Sequence, residues 1–301
     1  MKNLITPRRA PWLLTLALLA ATACDDAPPQ PALICHNANC VEPANPAEDD
    51  TPEALSASLA LVDTANRPLI DGVEIDTFWF GEESRCLFAH DLADPETSQD
   101  VDVAFDLISA HLLERRSSGA PLTRTAARFS IFIELKGHVG PAKSEKHSPE
   151  QRIQHAECAA SLGLELAQHA TQHDYPLEIV YTSFDAGLLE ALSTRDVYDR
   201  LRQNGSTITK LGYLVGVPAP LDSQSKPLDT IPKGLDIDVL SAHPHWTRHP
   251  TLEAAESMGW ELSLWMFTVV PETFDAISTY NPHYVTTSEA NVLSGWLDQN
   301  H

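Results

Sequence analysis

The sequence predicts a single α/β domain closed into a (β/α)8 barrel, a TIM barrel. Three observations predict it. Residues 33–301 form one span with no internal repeat or long low-complexity segment, the size of one large α/β domain rather than two small ones. Short, near-continuous apolar runs alternate with amphipathic stretches, as parallel strands covered on both faces require. Acidic residues and histidines recur at the C-terminal ends of those runs, the face where such a barrel collects its chemistry. Alternation alone would also fit a doubly wound open sheet, so the barrel rests on the charged strand ends.

In chain order, Lys2, Arg8 and Arg9 precede an apolar run over 12–21, which is too short to span a bilayer. Residues 1–23 therefore read as a signal peptide. Ala21-Thr22-Ala23-Cys24 resembles a bacterial lipoprotein signal, with Ala21 where that pattern usually has Leu. Lipidation of Cys24 would anchor an exported chain in the cell envelope. The alternative is an ordinary secretory signal cut near Ala23, which gives a soluble secreted protein. Residues 24–32 are Pro-rich and polar and read as a tether.

The apolar runs at 33–36, 72–76, 129–135, 177–182, 210–217, 237–242, 261–267 and 284–286 are the predicted strands. Between them, 103–116 has apolar residues at helical spacing. Ser148-Pro149-Glu150-Gln151 is a capping box that opens a helix to about 172. Residues 187–202, 251–258 and 271–280 continue the alternation.

The 301-residue chain carries 42 acidic against 20 basic residues, a formal charge of −22, which excludes a nucleic-acid partner by repulsion. Without Cys24, Cys35, Cys40, Cys86 and Cys158 remain, an even set that suggests two disulfides in an exported chain. Three connectivities are possible; Cys35–Cys40 with Cys86–Cys158 is the preferred one. The spacing does not suit zinc.

Chemistry concentrates at a few positions. Glu74 and Asp76 lie two apart in a strand, so they share a face. Glu134 and Lys136 repeat the device at the next run. His36 ends the first run, and His90-Asp91 ends a short run, 86–89, that returns from a hairpin over 77–85. Three crowded carboxylates need a cation, and oxygen-only ligation selects Mg²⁺ or Ca²⁺. A hard ion beside a lysine suits a phosphate diester, with two histidines as general acid and base.

These residues resemble the pattern of the glycerophosphodiester phosphodiesterases, whose skeleton the sphingomyelinase D-like phospholipases share: Glu74-x-Asp76, His90-Asp91 and Glu134-x-Lys136. Further matches are Thr182-Ser183-Phe184-Asp185, Trp265 and Val285-Thr286-Thr287, so the resemblance covers the chain from Leu33 onward. It implies a metal held by Glu74, Asp76 and Glu134, a phosphate contact from Lys136, and acid–base roles for His36 and His90. It departs at His36-Asn37-Ala38-Asn39, where glycerophosphodiesterases usually carry His-Arg-Gly; the His-x-x-Asn form is closer to the sphingomyelinase D branch. Asp49-Asp50-Thr51 only echoes the usual Glu-Asn-Thr run, and the longer His36-to-Glu74 spacing suggests an insertion around 62–69.

The predicted activity is metal-dependent cleavage of glycerophosphodiesters, or of lysophospholipid or sphingolipid phosphodiesters. Two rivals stand beside it: a non-catalytic lipid- or phosphate-binding surface protein on the same barrel, and a zinc hydrolase built on His243 and His245. Trp265 reads equally as core or as a substrate-stacking surface, and His138 reads as a loop histidine. Ser183 lacks a Gly-x-Ser-x-Gly elbow, and no nucleotide-type glycine loop is present.

Overall fold

The computed structural model describes residues 30–41, 48–90, 96–137, 147–216, 228, 231–245, 247 and 249–300. The expected signal peptide, Cys24, Asp91, His138 and Trp246 lie outside the described residues.

Eight parallel strands close on themselves. In chain order the elements are β1 (Ala32–Cys35), α1 (Pro52–Leu59), β2 (Gly72–Phe80), β3 (Arg85–Phe88), β4 (Gln99–Asp100), α2 (Val101–Ser118), β5 (Phe129–Leu135), α3 (Pro149–His173), β6 (Leu177–Ser183), α4 (Ala186–Ser193), α5 (Asp196–Arg202), β7 (Thr207–Val215), β8 (Val239–Ala242), α6 (His249–Met258), β9 (Glu261–Met266), α7 (Pro271–Tyr280), β10 (Tyr284–Thr287) and α8 (Ala290–Asn300). The sheet runs β1-β10-β9-β8-β7-β6-β5-β2, and a β1–β2 pairing closes it. The open-sheet alternative is thereby excluded.

Strand alternation builds two apolar layers. Outward residues such as Val73, Ile75, Ile131, Ile133, Ile179 and Tyr181 pack under the helices. Inward Ile34, Phe132, Val180, Val239 and Tyr284 fill the barrel. Gly72 sits where β2 presses on β5; a Cβ there would collide with the Ser130 carbonyl, so only glycine fits.

β2 runs past Asp76. Its pairing with β5 ends at Thr77, and from there its edge pairs antiparallel with β3, giving the expected hairpin. The predicted helix over 187–202 is two helices. Ser193 and Thr194 hydroxyls donate to the Glu190 and Ala191 carbonyls, and Thr194 leaves the helical region. The α3 capping box is present, with Ser148 and Gln151 bonded reciprocally.

Both disulfides follow the preferred pairing. Cys35–Cys40 closes the turn after β1, and Cys86–Cys158 ties the hairpin to α3. Among the described residues no helix is long and apolar enough to cross a membrane.

Candidate active site

The C-terminal mouth collects all six side chains singled out above. Glu74 and Asp76 point inward from β2 and Glu134 from β5, by strand alternation. Lys136 follows the last residue of β5. His36 follows β1, and His90 lies just beyond β3. A hydrogen bond from Ala89 N–H to the Asp76 carbonyl, 3.3 Å, ties the His90 segment back to β2.

Distances define one cluster. Lys136 Nζ lies 2.7 Å from Asp76 Oδ2 and 3.0 Å from Glu134 Oε1. His90 Nε2 is 3.6 Å from Asp76 Oδ2, and His36 Nε2 is 3.8 Å from Glu74 Oε2. His36 Nδ1 stands 3.3 Å from Ser288 Oγ, which fixes the ring from behind. His36, the three acids and Lys136 are buried, whereas His90 is half-buried.

Burial and mutual repulsion govern the charges. Burial first, then Asp76 and Glu134, push Glu74 well above the carboxylate range. Glu134 is pushed up to about 7, chiefly by burial and against the pull of Lys136. Burial would lower Lys136, but Asp76 and Glu134 outweigh it and raise it. His36 is held well below its ordinary value by burial, then by the positive fields of His90, Lys136 and His243.

The turn after β1 is clamped from within. Asn37 and Ala38 have left-handed φ values of 47° and 56°. Asp49 accepts hydrogen bonds from the Asn37 and Asn39 amides at 3.1 and 2.9 Å. Asn37, at the place where the resembled pattern has Arg, is thus turned to Asp49. Thr77, the neighbour of Asp76, donates to the Glu134 carbonyl and pairs with His155 Nε2 at 3.0 Å. Alternation hides it on the outer face, so nothing in the motif pointed to it.

An aromatic wall stands beside His36. Phe267 meets the His36 ring edge-on at 5.1 Å, and Trp265 meets His243 and Phe184 at 4.7 and 5.9 Å. Trp265 is buried and donates its indole N–H to the Val215 carbonyl. The exposed aromatic surface is instead that of Phe184 and Phe267, 38% and 45% accessible. His243 is buried against this wall and lowered to about 4, mainly by burial. Ser183 Oγ donates to the Leu135 carbonyl, a structural bond.

Among the described residues no three His, Cys, Asp or Glu side chains stand as a ready-made metal site. That leaves the zinc reading of His243 and His245 without a third ligand. At the acidic cluster, Lys136 Nζ stands between Asp76 and Glu134. The donors there still suit a hard cation: they are buried oxygens, and Glu74 Oε2 has no hydrogen-bond partner among the described residues.

No family model and no curated protein matches the chain. Solved structures do match. A glycerophosphodiester phosphodiesterase from Parabacteroides distasonis is 14% identical over 91% of this chain and 99% of that one, with a TM-score of 0.53. A phosphodiesterase from Oleispira antarctica, in complex with the product sn-glycerol-3-phosphate, is 13% identical over 89% of this chain and 97% of that one, with a TM-score of 0.50. At such identities the likeness is one of fold: this chain shares the TIM barrel of those two solved structures.

Proposed function

We propose that this chain is a metal-dependent phosphodiesterase. One observation carries the reading: two histidines, a lysine and three carboxylates from separate strand ends meet at one buried mouth of the barrel. Glu74, Asp76 and Glu134 would hold one Mg²⁺ or Ca²⁺. When bound, that ion neutralises phosphoryl oxygens as negative charge builds on them. Lys136 adds a second positive charge on the same side.

His36, neutral by virtue of its burial, takes the proton of the nucleophile as its oxygen bonds to phosphorus. His90 gives a proton to the leaving oxygen as the opposite P–O bond breaks. Ser288 and Phe267 hold the His36 ring in place. With water as nucleophile the products are an alcohol and a phosphate monoester; with a neighbouring substrate hydroxyl the product is a cyclic phosphate. Glycerophosphodiesters, or the head-group diesters of lysophospholipids and sphingolipids, are the proposed substrates. Lipidation of Cys24 would hold the enzyme in the cell envelope.

The test is a panel of glycerophosphocholine and lysophosphatidylcholine assayed with and without chelator. Turnover that chelator removes, and that Mg²⁺ or Ca²⁺ restores, is the expected result. Turnover indifferent to chelator, or no turnover on either substrate, would refute the proposal.

A further inference from the structure

A fourth carboxylate stands behind the cluster. Asp50 is only 3% exposed, and its Oδ1 accepts the backbone N–H of Asp76 at 2.9 Å. The Asp50 N–H in turn donates to the Asn37 carbonyl at 2.9 Å, so the residue is bolted between the His36 turn and β2. Its Oδ2 is buried and has no hydrogen-bond partner among the described residues.

The bond to Asp76 does not explain the acid. An asparagine would accept the same N–H with the same shape and without a buried charge. It would also suit the left-handed backbone of Asp50, φ 53°. A buried anion set against another anion is unfavourable unless a cation answers both. Four buried carboxylates, Asp50, Glu74, Asp76 and Glu134, crowd here around the single ammonium of Lys136, which of the four reaches only Asp76 and Glu134.

We infer that Asp50 is a fourth carboxylate of the cation site, set behind Asp76, where its charge tightens the hold on a divalent ion. The inference rests on the cation-dependent reading of the mouth. The Asp50→Asn variant keeps the acceptor for Asp76 and removes only the charge. Thermal melting of the intact chain, titrated with Mg²⁺ and separately with Ca²⁺, reads cation affinity without any assay of turnover. The variant is expected to need at least ~10-fold more cation for the wild-type rise in Tm, as loss of an outer-shell partner commonly does. Its cation-free Tm should equal or exceed that of wild type.

Superimposable titration curves would overturn the role of Asp50. So would an effect confined to Asp50→Ala and seen only as a lower cation-free Tm, because Asp50 would then be a hydrogen-bond acceptor alone. A wild-type protein whose Tm ignores both cations would instead overturn the cation-dependent reading itself, and Asp50 with it.

Discussion

At the N-terminal mouth of the barrel, Lys210 Nζ lies 2.7 Å from Glu178 and 2.7 Å from Glu261. The Tyr284 hydroxyl donates to Glu261 at 2.7 Å, and Ser130 donates to Glu178 at 2.9 Å. At the C-terminal mouth one lysine also sits between two acids, but Glu74 and Asp50 lie beside them, each with an oxygen lacking a hydrogen-bond partner among the described residues. The carboxylates respond accordingly. Burial alone would raise Glu261, yet the bonds from Lys210 and Tyr284 bring it below its usual value. Glu74, Glu134 and Asp50 all end up raised, with burial the leading cause. One mouth is a closed network, satisfied by Lys210 and its own hydroxyls; the other holds more carboxylates than its one lysine pairs with. A cavity of about 270 Å³ opens at the N-terminal mouth, lined by Ser130, Glu178, Glu261 and Tyr284 and not by His36 or His90.

The contrast can be broken by exchanging what each lysine does. Lys210→Met should lower stability by about 3 kcal/mol in urea denaturation, because it strands two carboxylates, one of them buried, while turnover stays unchanged. A fall in kcat/KM with stability intact would erase the distinction. His36→Ala or His90→Ala should reverse the pattern, cutting turnover by at least ~10² with the melting transition in place. Near-full activity in either variant would remove that residue from acid–base duty.

Cation binding sharpens the comparison further. At a hundredfold excess over Kd, Mg²⁺ or Ca²⁺ should stabilise the protein by about 2.7 kcal/mol. The Lys210→Met protein should gain the same amount, because the N-terminal mouth takes no part. Loss of that gain would mean that the two ends are coupled.

A further effect, read per pH unit, concerns the support behind the C-terminal mouth. His155 is lowered to about 3 by burial and then by His147, so it is neutral in the fold. Between pH 6.5 and 3 the unfolded chain takes up this proton first, so stability is full above pH 6.5 and falls as acid is added. His155→Gln can still bond to Thr77, and it should flatten that slope by up to about 1.4 kcal/mol per pH unit. An unchanged slope would show that His155 does not drive the acid sensitivity.

Legibility differed by element. The strand ends were readable because alternation puts Glu74 with Asp76, and Glu134 with the inward face, whatever the partners are. Two helices were not singled out, α1 and α8. The Thr51 cap with Pro52 at the first helical position, and Leu293 and Leu297 on one face of α8, were the available signals. The split between α4 and α5 escaped because the apolar spacing runs on through Ser193 and Thr194, whose hydroxyls end the first helix locally.

By itself the sequence determined which strand ends carry charge, since period-2 alternation is a local property of an extended chain. It also bounded the disulfides to a choice among four cysteines. Tertiary structure alone decided that the sheet closes through β1 and β2, which brings His36 to within 3.8 Å of Glu74. It decided as well that Asp50, distant in sequence from Asp76, bonds to its backbone, and that Ser288 and Phe267 hold the His36 ring. These contacts depend on barrel closure and loop path, and neither is encoded in the spacing of any one segment.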